Sequence, residues 1–177
     1  MIPKSVQRFS EKIMLHQESK DRQMSVAPVR REIVVEASQA RAFRVFTEEH
    51  GAWWPLASHH IGEKAAETAI IEPRAGGRWF ERATDGTECP WGKVLVWDPP
   101  GRIVLSWAIG ADFKYDPALS LELEIRFVVL GPASTRIELE HRNFERLGDA
   151  AETMRGAIDS EAGWTGVLQA YAARAAG

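Results

Sequence analysis

Histidine is the side chain best suited to proton transfer near neutral pH, and one of the five histidines in this chain stands in an unusual place. His141 falls at an inward position of a strand-like run whose other inward residues are Ile137 and Leu139. There it meets a cavity ligand, acts as an acid or base, or bonds to a neighbour inside the core. His50, His59 and His60, with Glu48 and Glu49 nearby, are donor types that suit divalent ions. Their spacing matches no ligand pattern such as H-E-x-x-H, so a solvated loop and no metal are expected. The single cysteine, Cys89, lies between Glu88 and Pro90 with no adjacent base, and no nucleophilic role is assigned to it. Glu122, Glu124, Glu138 and Glu140 look like paired catalytic carboxylates, but their alternation with apolar residues puts them on a wet face as cross-strand partners. Gly76-Gly77 lacks the helix and spacing of a dinucleotide loop, and no G-x-x-x-x-G-K segment occurs. No catalytic residue and no cofactor are therefore expected.

Seven tryptophans is a high count for 177 residues. Each brings a large apolar area and one N–H that needs a partner, so most belong in a core. Composition bounds the rest. A chain of this length with 45% hydrophobic residues builds one core without help from disulfides or metal. A net charge of -3 argues against nucleic acid as a partner. No apolar run approaches the roughly 18 residues of a membrane span, and the N-terminus has no apolar signal core. With one cysteine, a reducing, cytoplasmic setting is the expectation.

The elements that must position these residues follow from periodicity. Arg30 to Glu36 reads as a strand, and Ser38 caps a helix with Ala42, Phe43, Val45 and Phe46 on one side. A short helix or turn is expected at Trp53-Trp54, then a loop through His59, His60 and Gly62. Strand-like runs follow at about 67–72, 78–83, 91–97, 102–109, 119–130 and 135–143, separated by Gly, Pro and Asp turns. Leu119, Leu121, Leu123, Ile125, Phe127 and Val129 share one face, and Trp107 shares inner parity with Ile103 and Leu105. A five-residue loop at 131–135 would set Glu124 opposite Arg142 and Arg126 opposite Glu140. For the run 78–83, the Trp79/Glu81 face and the Arg78/Phe80 face compete. Residues 148–176 read as helix in two parts, a lead-in through Met154 and a run from about Asp159. In that run Trp164, Val167, Leu168, Tyr171 and Ala175 line one side. Residues 1–28 lack this patterning and are expected to be a flexible extension before a domain at 29–177, with Met24 a candidate first residue.

The stretches Ile71-Glu72-Pro73-Arg74-Ala75-Gly76-Gly77-Arg78-Trp79, Trp91-Gly92-Lys93-Val94, Trp97-Asp98-Pro99-Pro100 and Gly163-Trp164 resemble the START-like SRPBCC superfamily. Within it they are similar to homologues of the heat-shock protein 90 ATPase activator. The resemblance implies an α+β helix-grip fold, a curved antiparallel sheet of about seven strands wrapped around a long C-terminal helix, with a cavity between them. In such a cavity Trp107, Leu123, Phe127, His141, Trp164 and Leu168 are the wall candidates for a small apolar or amphipathic ligand. The resemblance also leaves open a polyketide cyclase or dehydratase-like enzyme, with His141 moving protons, and a protein-binding module in contact with a chaperone.

Overall fold

Seven strands with near-strict alternation form one antiparallel sheet in a computed structural model that describes residues 7, 8, 10–16 and 25–177. Residues 7, 8 and 10–16 are helical, and Met24 lies outside the described residues. The strands are β1 (Val29–Val35), β2 (Ala66–Ile71), β3 (Arg78–Ala83), β4 (Glu88–Asp98), β5 (Arg102–Trp107), β6 (Leu121–Gly131) and β7 (Ser134–Arg142). Their order is β1-β7-β6-β5-β4-β3-β2, a meander whose last strand returns to pair with the first. Between β1 and β2 stand α1 (Gln39–Thr47), capped by Ser38 as its sequence predicts, and the short α2 (His50–Trp53). After β7 come a turn of 3-10 helix, α3 (Ala151–Asp159) and α4 (Gly166–Ala176). Among the described residues no helix is long and apolar enough to cross a membrane.

The sheet curls because its ladders are bulged once in β2, twice in β4 and once in β6. Gly92 marks the tightest point, where an added Cβ would stand 1.8 Å from the Ser106 carbonyl oxygen. The concave face receives α1, α2 and α4. Phe46 packs between Phe127, Trp53 and Tyr171, and the Tyr171 hydroxyl donates to the Ala42 carbonyl at 2.7 Å. The result is the helix-grip fold.

Three expectations are corrected in detail. The β6–β7 hairpin pairs Gly131 with Ser134 and bulges at Leu130, which sets Glu124 opposite Glu140, Arg126 opposite Glu138 and Glu122 opposite Arg142. A two-residue turn alone would oppose odd positions to even ones, and the bulge restores the shared inner parity. The like-charged pair is tolerated because Arg142 bridges it, 2.6 Å from Glu124 and 3.2 Å from Glu140. Glu124 lies on the outer face as expected but is not wet there: it is 6% exposed beneath Arg102, Arg126 and Arg142. Burial alone would raise its carboxyl, but hydrogen bonds from Arg142 and Arg102 and the nearby charges overcome that and hold it down at about 2. Finally, the C-terminal helical stretch is interrupted at Ser160–Gly163, so the run from Asp159 is not one long helix. Gly163 sits at ψ -133, and a Cβ there would lie 2.0 Å from the Ile158 carbonyl oxygen.

In β3 the Trp79/Glu81 face points inward. Phe80 is buried on the other face beneath the guanidinium of Arg78, 4.2 Å from the ring centroid.

Candidate functional site

The break between α3 and α4 opens a cavity of about 320 Å³ at one end of the grip. Trp107 enters it from the end of β5, Trp54 from the end of α2, and Trp164 from the interrupted turn itself. Met154 and Ile158 contribute the α3 side. Phe113 stands at the mouth, 59% exposed and held at φ 57 in the loop between β5 and β6. A smaller cavity of about 120 Å³ shares Trp54, Trp107 and Phe113 and adds Trp91 and Ile109. No Lys, Arg, Asp or Glu lines either space.

The mouth is built by hydrogen bonds rather than by loose loop. Trp54 Nε1 donates to the His59 carbonyl at 2.8 Å. His59 Nε2 donates to the Ala162 carbonyl at 2.7 Å, so its Nδ1 is the acceptor for the Ser58 hydroxyl, also at 2.7 Å. This chain ties the loop after α2 to the break before α4. Behind it, the buried Glu81 carboxylate accepts from the backbone N–H of Ile61 and of Gly62 and from the Trp91 indole, at 2.9, 2.6 and 2.8 Å. Gly62 is required there, since a Cβ would fall 2.4 Å from Glu81 Oε1.

His141 is fully buried, with its ring centroid 4.9 Å from that of Trp107 and 4.8 Å from that of Phe144. Its Nδ1 accepts from Trp164 Nε1 at 3.2 Å, which leaves the proton on Nε2. Burial lowers its pKa from 6.5 to about 3, so it is neutral at physiological pH and accepts from Trp164 in that form. Among the described residues, His141 Nε2 and Trp107 Nε1 are the two buried side-chain polar atoms without a partner.

Of the residues expected to wall a cavity, Trp107 and Trp164 line this one. Leu123, Phe127 and Leu168 lie in the continuous core instead, with Phe127 edge-on to Phe43 and Phe46, and His141 stands behind Trp107. Phe113, Met154, Ile158 and His59 were not expected as wall. An aromatic in a Gly- and Asp-containing loop, two residues from Tyr115, was the one signal available for Phe113. His50, expected in a solvated loop, is buried in α2, where Nδ1 donates to the Phe46 carbonyl at 3.2 Å and Nε2 accepts from Trp79 Nε1 at 3.1 Å. Among the described residues no group of three or more His, Cys, Asp or Glu is placed to hold a metal ion. Burial and the charge of Glu81 push the Cys89 thiol up, away from the thiolate.

A family model described as activator of Hsp90 ATPase homolog 1-like protein matches residues 36–174. Among solved structures, one described as an anthrahydroquino-Gama-pyrone synthase, Txn09, is 37% identical, with 84% of this chain and 97% of that chain covered and a TM-score of 0.59. CalC from Micromonospora echinospora, described as a self-sacrificing resistance protein, is 29% identical over 84% of this chain and 93% of that one, with a TM-score of 0.64. Protein MLL2253 from Mesorhizobium loti, at 18% identity, covers 82% of this chain and 93% of its own with a TM-score of 0.56, a likeness of fold alone. Comparison with curated proteins finds no match.

Proposed function

The chain belongs to the family of activator of Hsp90 ATPase homolog 1-like proteins, and from that premise we propose that it binds a small apolar or amphipathic molecule between the sheet and the C-terminal helical segment without transforming it. The cavity of about 320 Å³ with three tryptophans in its wall is the observation that carries this reading. Its size falls at the lower end of small-molecule sites, and its mostly apolar wall with a few convergent polar atoms is the usual composition of such a site.

Binding without turnover is favoured because two of the histidines near the cavity are held in the protein's own hydrogen bonds. His141 is held neutral by burial, and His59 uses both nitrogens in the chain from Ser58 to Ala162. A second reading, ring-closing chemistry of cyclase or dehydratase type, is supported by the 37% identity to a protein named as a synthase of a ring compound. On that reading Ser58 and His59, at the mouth, are the side chains placed to move a proton.

Native mass spectrometry of freshly purified protein tests the proposal, with the denatured mass as reference. The expected result is a small molecule that leaves on unfolding and is recovered chemically unchanged after incubation with the protein. Recovery of an altered compound would move the assignment to the enzyme. Absence of any bound species, together with no heat of binding from aromatic or aliphatic small molecules, would overturn the cavity reading. In that case the chaperone contact suggested by the family description becomes the reading to pursue, by titration with the Hsp90 ATPase.

A further inference from the structure

The geometry points to a second binding site, at the end of the sheet away from the tryptophan-walled cavity, whose ligand is a small organic cation: a primary ammonium group on an apolar stem. This site is independent of whatever fills the first.

The place is a recess of about 520 Å³ where the corner between α1 and α2 meets β2, the outermost strand on that side, and Trp97 near the end of β4. It shares no lining residue with the two spaces beside Trp107. Register explains the separation, because Trp97 pairs with Ile103 near the start of β5 and Trp107 is the last residue of that strand. Ala69 and Ile71 of β2 are buried and give the recess an apolar floor, and Ala52 of α2 stands exposed at its rim. A recess of this volume, apolar below and polar at a few points, has the build of a small-molecule site.

The charge that it would accept has one sign. Glu48 and Glu49 are the only charged residues in its lining. Glu48 is exposed and enters no ion pair among the described residues. Glu49 meets Arg174, but both guanidinium nitrogens converge on Oε2, at 2.8 and 2.7 Å, and Oε1 stays open. The two carboxylates follow directly on the last turn of α1, whose carbonyl pole adds partial negative charge of its own. Trp97, the tryptophan outside the indole cluster, brings an aromatic ring, which attracts a cation through its face. An anion would meet repulsion from the carboxylates and the helix end alike. A metal ion would need more ligands than these, and among the described residues no group of three His, Cys, Asp or Glu is placed to supply them. An ammonium group satisfies the acceptors at the rim, and its stem covers the floor.

Hexylamine and 1-hexanol test this, because they share a stem and only the amine is charged at neutral pH. In an NMR titration of the full chain, hexylamine is expected to move the amide resonances of Ala52 and Ile71 and the indole N–H of Trp97. It should bind there about 3- to 30-fold more tightly than 1-hexanol, the combined worth of one exposed charge pair and one cation–π contact. Glu48→Gln, a change at an exposed position, should weaken hexylamine about 2- to 5-fold, whereas Glu63→Gln, at an exposed carboxylate outside the recess, should leave it unchanged. Equal affinity for amine and alcohol at these resonances would overturn the cation assignment. Equal losses in the two glutamine variants would do the same, by showing diffuse attraction to a chain of net charge -3. Shifts confined to Trp107 and Trp164 would put the amine in the other cavity and overturn the second site. A short lysine peptide that moves the same resonances at lower concentration than hexylamine would overturn the small molecule in favour of a protein partner.

Discussion

The Trp164 indole donates to Nδ1 of His141 across 3.2 Å, and this one bond fixes the imidazole as the Nε2–H tautomer. Protonation of His141 would break that bond inside the core, where the ring is fully buried. Burial accordingly lowers both His141 and His50 from 6.5 to about 3. The unfolded chain takes up these protons near pH 6.5 and the native protein only near 3. Stability from this source is therefore complete above about pH 6.5 and is lost as the pH falls toward 3, by about 1.4 kcal/mol per pH unit for each histidine. Urea unfolding between about pH 7.5 and 5 measures the slope, and His141→Gln should reduce it. Constant stability across that window would contradict the buried neutral pair.

The arginine cage on the convex face makes Glu124 the glutamate that matters most there. Removing it by Glu124→Ala leaves Arg102, Arg126 and Arg142 facing one another and Glu140. The expected loss is about 2–3 kcal/mol, toward the low side for a broken buried pair because the arginines keep contact with water. Glu138→Ala, which removes a partly exposed partner of Arg136, should cost at most about 1 kcal/mol. Chemical denaturation of the two variants side by side distinguishes them, and equal losses would rule out the cage.

Two glycines of the C-terminal region should respond to alanine in opposite directions. Gly156 is exposed in α3 with nothing within 4 Å of an added Cβ, so Gly156→Ala is expected to stabilise by about 0.5–1 kcal/mol. At Gly163 the new Cβ would lie 2.0 Å from a carbonyl oxygen, and Gly163→Ala is expected to cost about 1–3 kcal/mol. Because Gly163 and Trp164 both line the cavity, the second variant should also bind its ligand less tightly. Thermal unfolding followed by ligand titration reads both effects.

Phe113 and Phe127 separate binding from packing. Phe127 is 2% exposed in the core, and Phe127→Ala should lose about 3–5 kcal/mol. Phe113 is largely exposed, so Phe113→Ala should change stability by less than about 0.5 kcal/mol. Its affinity for an aromatic ligand should nonetheless fall about 2- to 10-fold. An affinity unchanged in Phe113→Ala would remove the mouth from the site.

Local periodicity made the sheet legible. The alternation from Leu121 to Val129 needs only the two-residue repeat of a strand, and the inward parity of Trp107 and Trp164 came from the same kind of local rule. Pairing register did not, because it depends on one bulged residue, Leu130, and on arginines arriving from β5, β6 and β7 to hold Glu124. The cavity was half legible for a related reason. Its tryptophans stand at predictable positions, but Met154 and Ile158 reach it only because the helical path breaks at Ser160–Gly163, and that break is a matter of backbone angle at one glycine. His50 misled because Glu48 and Glu49 precede it, whereas one helical turn places it against Phe46 and a contact 29 residues away joins it to Trp79.

The indole cluster also gives the molecule an optical character. Trp53, Trp54, Trp79, Trp91, Trp107 and Trp164 are linked by successive ring centroids 5.2 to 6.3 Å apart. At such separations excitation migrates from one indole to the next before it is emitted, so the cluster behaves as an antenna with three of its members in the cavity wall. A ring compound that absorbs in the near ultraviolet and enters beside Trp107 and Trp164 drains the emission of the whole cluster, including tryptophans it never touches.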